Sequence, residues 1–70
     1  MTFRKGSEVT WTWGAHETTG TVVERFERTV SRTLRGSRIT RRGTPDCPAY
    51  LIEQDDGARV LKLQSELDDA

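Results

Sequence analysis

Apolar and polar residues alternate strictly from Glu8 to Trp13, with Val9, Trp11 and Trp13 on one side and Glu8, Thr10 and Thr12 on the other. Period-two alternation of this kind marks a half-buried strand. Two further strand-forming runs, residues 50–54 and 59–63, flank Asp55, Asp56 and Gly57. Asp-Gly between such runs signals a hairpin, because glycine accepts the positive φ that a tight turn requires. Two registers fit it. A two-residue Asp56-Gly57 loop sets Ile52 opposite Leu61 and Tyr50 opposite Leu63. A three-residue loop ending on the glycine sets Ile52 opposite Val60 and Leu51 opposite Leu61. Both give apolar cross-strand pairs, so the pattern establishes the hairpin and leaves its register open.

Between these anchors the pattern is weaker. Residues 14–19 are polar and read as a loop closing at Gly20. Residues 21–27 read as a second strand, with Val22 or Val23 and then Phe26 turned to the core. Arginines at 25, 28, 32, 35 and 38 have helix-like spacing. Against a helix, Thr29, Val30, Thr33, Ile39 and Thr40 favour strands and Gly36 weakens helical structure. The preferred reading is an extended hairpin arm, residues 29–34 and 38–41, turning at Arg35-Gly36-Ser37. Gly43, Pro45 and Pro48 then interrupt regular structure. Residues 64–67 read as one helical turn that brings Leu67 under the core, and residues 68–70 as a frayed acidic tail. Phe3 is expected to pack back onto the core. Short strands separated by glycine turns predict an all-β chain, its sheet curled into a partly open barrel around one small core.

Composition narrows the picture. The chain of 70 residues is 33% hydrophobic and 31% charged, which suits one small domain spanning residues 1–70, with residues 28–47 as an arm inserted within it. Five aromatics (Phe3, Trp11, Trp13, Phe26 and Tyr50) are expected to supply much of the buried area, roughly 150–250 Å² each. No apolar run is long enough to span a membrane, and the single Cys47 cannot form an internal disulfide. The expected location is the cytoplasm. Net charge is zero, yet seven arginines and one acid lie between Arg25 and Arg42, while the rest of the chain holds four basic and ten acidic residues. A cationic segment on an anionic body bears on partners more than on fold.

The segments GSEVTWTWG, GTVVE and PAYLIEQDDGARVLKLQSEL, with a polar insertion before the last, resemble the hypervirulence-associated Tudor-like domain family of bacteria and fungi. The likeness runs from Phe3 to Leu67. It implies a small SH3-like, Tudor-type barrel with a long basic hairpin insertion between the second strand and the C-terminal hairpin. It implies little about activity.

Tudor-type barrels commonly hold a methylated cation in an aromatic cage with a carboxylate nearby. The corresponding residues here are Trp13 and Tyr50 as walls, with Asp55 and Asp56 supplying charge; the competing reading makes the aromatics core. Arg28, Arg32, Arg35, Arg38, Arg41 and Arg42 could instead engage phosphates along a nucleic-acid backbone, or could pair with the acidic body or a second copy of the chain. Catalysis finds no candidate: His16 and Cys47 lie in different predicted loops, and the aspartate pair reads as a turn. Zinc-ligand spacing and a glycine-rich phosphate loop are absent, so no metal or cofactor is expected. The expected function is a non-enzymatic binding module for a protein or peptide, reached at the loop end or by strand addition, with nucleic-acid binding or self-association as alternatives.

Overall fold

The computed structural model describes residues 3–70, Trp13 in its backbone alone. The strands are β1 (Glu8–Trp13), β2 (His16–Phe26), β3 (Thr29–Leu34), β4 (Ser37–Arg42), β5 (Ala49–Glu53), β6 (Arg59–Leu63) and β7 (Asp68–Asp69), with a 3-10 turn at Gln64–Glu66. Five of them form one antiparallel sheet in the order β6-β5-β2-β1-β7, and β3 and β4 form a separate two-stranded ribbon. The C-terminal hairpin and the tryptophan-bearing strand therefore share a sheet, with β2 between them. The two sheets do not close on each other. The result is the small, partly open all-β architecture of an SH3-like or Tudor-type domain.

Turn chemistry decides the registers. In the β5–β6 hairpin, Leu51 faces Leu61 and Ile52 faces Val60, which is the three-residue-loop alternative. Gly57 takes φ +85°, and its N–H donates to the Gln54 carbonyl at 2.9 Å. The Asp56 carboxylate accepts from the Ala58 N–H at 2.9 Å, tightening the same turn. In the arm, Leu34 pairs with Ser37, so the loop is Arg35-Gly36 alone, at φ +52° and +78°. Positive φ at both loop positions matches the twist of a two-residue hairpin, even with arginine in the first. No helix forms over residues 25–42.

Three local readings are corrected. The loop expected over residues 14–19 shrinks to the two-residue turn Gly14-Ala15: Trp13 pairs directly with His16, and β2 starts there. Polar β-branched residues are sufficient for this, because the outer part of a two-stranded projection needs no apolar face. The acidic tail does not fray, since Asp68 and Asp69 pair with Thr10 and Val9 and the Ala70 N–H donates to the Glu8 carbonyl at 3.3 Å. Backbone hydrogen bonds at an open sheet edge form whatever the side chains are. The ambiguity of Val22 and Val23 resolves as a β-bulge, with Val22 opposite Ile52, Glu24 opposite Leu51, and Val23 extra. Val22 is buried on one face, and Val23 packs against the other.

That bulge points to the larger correction: the described residues form two hydrophobic clusters rather than one core. Phe3, Val9, Trp11, Val22, Tyr50, Ile52 and Leu67 fill the first. Phe26, Val30, Ala49, Leu51 and Leu61 form the second, with Val23, Leu34, Ile39 and Leu63 packed against it. Strand β5 feeds both, so Ala49 through Ile52 are all buried. The arm is the cover of the second cluster. Val30 (2% exposed) contributes about 2 kcal/mol by its burial, the usual worth of a fully buried valine. In the same layer, Arg28 and Arg32 lie over the Phe26 ring at 5.4 and 5.0 Å.

Candidate functional site

A groove of about 590 Å³ lies between the arm and the C-terminal hairpin, within the size range of small binding sites. Every residue from Ala58 to Lys62 lines it, so it follows the length of β6. Lining by consecutive residues means that the groove wraps the edge of the strand, since neighbouring side chains leave on opposite faces. Its apolar surface comes from Trp11, Leu34, Ile39, Val60 and Leu61.

Strand β6 ends the five-stranded sheet, and its outer edge faces this groove. Two hydrogen bonds set the phase of the ladder: Gln54 N–H to the Ala58 carbonyl at 2.7 Å, and Gln64 N–H to the Pro48 carbonyl at 2.9 Å. In an antiparallel pair, bonded and non-bonded pairs alternate. Ile52–Val60 and Tyr50–Lys62 are therefore the bonded pairs, and Arg59, Leu61 and Leu63 turn their peptide groups outward. The Leu63 N–H is occupied by the Glu66 carboxylate at 2.9 Å. Arg59 and Leu61 present the open part of the ladder.

Cations surround the groove. Arg35 and Arg41 come from the arm, Arg59 and Lys62 from β6, and Asp56 is the one acid among the described residues of its lining. Ion pairs tie the arm to the hairpin, Arg35 to Asp56 at 3.8 Å and Arg41 to Glu66 at 3.6 Å, and Lys62 reaches the same Glu66 at 3.9 Å. Arg59 pairs with Glu53 at 3.2 Å. All are solvated, and such pairs contribute about 0–1 kcal/mol each. Beyond the groove, Arg25 holds its proton above the ordinary arginine value, chiefly through the Tyr50 hydroxyl and then through Glu27, and remains a cation.

The residues singled out from sequence are dispersed. Tyr50 is fully buried; its hydroxyl donates to Gln64 Oε1 at 2.9 Å and accepts from the Phe3 N–H at 3.1 Å, and its ring meets Phe3 edge-on at 5.6 Å. It presents no face to a ligand. The Trp13 side chain lies outside the described residues. Asp55 and Asp56 are exposed at the hairpin turn, and only Asp56 borders the groove. The six arginines split three ways. Arg28 and Arg32 stack on Phe26, Arg35 and Arg41 line the groove, and Arg38 and Arg42 stand exposed on the outer face of β4. Sequence reasoning placed Val60 and Leu61 in the hairpin but did not name Arg59, Val60, Leu61 or Lys62 as binding residues, although their place on the last long strand was a sign that they would form a sheet edge. Among the described residues, no cluster of three or more His, Cys, Asp or Glu side chains could hold a metal ion, and no helix is long and apolar enough to cross a membrane.

No curated protein and no solved structure matches the chain. A family model does, across residues 6–67, and its description is the TUDOR domain of hypervirulence-associated proteins. Tudor-type domains are as a class small binding modules, and an open groove beside an unpaired strand edge suits such a module. With nearly the whole chain under that match and the partly open β architecture it implies, the protein belongs to the hypervirulence-associated Tudor domain family.

Proposed function

We propose that this domain is a non-enzymatic peptide-binding module that takes an extended segment of a partner protein along the outer edge of β6. One observation carries the reading: the groove follows five consecutive residues of an edge strand whose alternate peptide groups face into it. An added strand gains main-chain hydrogen bonds at Arg59 and Leu61, its side chains on one face reach Leu34 and Ile39, and those on the other reach Val60. The arm supplies the opposite wall. An aromatic cage built on Tyr50 has no comparable support, because that ring is enclosed by protein.

The test removes one outward donor. Proline is tolerated on an edge strand where its missing N–H points away from the sheet. Arg59→Pro should therefore remain folded and lose peptide binding, whereas Arg59→Ala keeps the donor and separates the side-chain contribution. In the wild-type domain, the amide resonances of Arg59 and Leu61 should shift on titration with peptide. Chemical-shift changes confined to the outer face of β4, around Arg38 and Arg42, on titration with an oligonucleotide would favour nucleic-acid binding instead.

A further inference from the structure

We infer that the segment bound along β6 is acidic, with carboxylates flanking a short apolar centre; this rests on the strand-addition reading above. Among the described residues, the groove lining holds Arg35, Arg41, Arg59 and Lys62 against Asp56 alone, in a chain whose net charge is zero. Two of these cations lie on each wall, so a strand between them meets positive charge on both sides. Their present partners are the chain's own carboxylates. Asp56 holds Arg35 across the groove, Glu66 holds Arg41 and Lys62, and Glu53 holds Arg59. Asp56 and Glu66 sit where the arm and the hairpin approach, on either side of the apolar stretch, and mark where incoming carboxylates would dock.

The existing pairs do not block this. Arg35 and Asp56 are 74% and 66% exposed at the side chain, so loosening their contact costs little. An arginine that gives one N–H to Glu53 or Glu66 retains several more for a second carboxylate. A segment carrying lysine, arginine or their methylated forms meets repulsion from both walls. A nucleic acid satisfies the cations, but it leaves the aliphatic side chains of Leu34 and Ile39 without a partner. It also finds little to stack on, since Trp11 is 4% exposed.

Three labelled peptides of one length test this. They share a short central run of valine and isoleucine, and carry glutamate, glutamine or lysine at the positions flanking it on both ends. Three or four weak pairs together predict roughly tenfold tighter binding of the glutamate peptide than of the glutamine one at low salt. High salt should erase that margin. The double variant Arg35→Gln/Arg41→Gln should cut it to about threefold while circular dichroism stays unchanged, and the lysine peptide should bind weakest. Equal affinity for the glutamate and glutamine peptides, with Arg59→Pro still abolishing both, overturns the acidic preference and leaves strand addition standing. Glutamate-dependent binding that Arg59→Pro does not weaken overturns strand addition instead. No binding by any of the three overturns both, and so does an oligonucleotide that displaces the glutamate peptide with higher affinity.

Discussion

Gly20 is a tight point of the sheet and an exacting test of how its layers meet. It lies in the middle strand, paired with Val9 on β1. A methyl group added there would fall 2.5 Å from Ile52 Cγ2, 3.0 Å from the Glu53 carbonyl oxygen and 3.2 Å from Trp11 Cη2. Ile52 is fully buried and Trp11 is 4% exposed, so neither can rotate away into solvent, and the carbonyl is fixed within its strand. Overpacking a buried site costs about 1–3 kcal/mol, and replacing a strand glycine by alanine returns about 0.5–1 kcal/mol. A contact as short as 2.5 Å against a buried side chain places the cost at the upper end of that range, so the net expectation for Gly20→Ala is a loss of about 2 kcal/mol. A domain of this size has roughly 4–10 kcal/mol in total, so Tm should fall by about 8–16 °C. Urea titration followed by tryptophan fluorescence measures the loss directly. A double-mutant cycle adds a sharper check. Ile52→Ala removes the clashing methyl, so Gly20→Ala should cost at least about 1 kcal/mol less in that background than in the wild type. Gly20→Ala within 0.5 kcal/mol of wild type, or strict additivity with Ile52→Ala, would refute the packing described for this layer.

Other consequences are separable from that one. Tyr50→Phe leaves the Phe3 N–H and Gln64 Oε1 without their partner and should cost about 1–3 kcal/mol by denaturant unfolding. Gly43→Ala drives a methyl against the Phe26 and Arg28 carbonyl oxygens and the Ala49 nitrogen, all backbone atoms. Its loss should match or exceed that of Gly20→Ala, and an unchanged Tm would count against the chain path there. Val30→Ala should cost about 2 kcal/mol and speed hydrogen exchange in the arm and in β5–β6 together, because one cluster joins them. Arg35→Ala should change stability by less than about 0.5 kcal/mol, since the pair it breaks is exposed.

Most of the fold was legible because local chemistry and periodicity agreed. The alternation of Glu8–Trp13 and the Asp-Gly turn each specified an element, and the observed register was one of the two read from the turn. What stayed hidden was the second face. Ala49 to Ile52 form a continuous apolar run, which signals burial on both sides of a strand, but it was read with one core in mind. Val30, Leu34 and Ile39 are too sparse among the arginines to announce a packed layer. His16 to Thr19 carry no apolar alternation, so their pairing with β1 left no trace in the pattern. The groove was least legible of all. Its two walls come from segments separated in the chain, and neither is unusual until the fold sets them side by side.

Strand β5 is a party wall: each of its faces closes a different interior. The arm consequently has no standing as an accessory that could be trimmed to leave a simpler domain. Cutting out residues 28–47 would drench Leu51, Leu61 and Phe26 at once, because it takes away Val30, Leu34 and Ile39, the arm residues packed over them. Whatever the basic insertion contacts outside the molecule, its sequence must first satisfy the neighbour it shelters, which restricts how freely its inward positions can be altered and leaves the outward ones open to change.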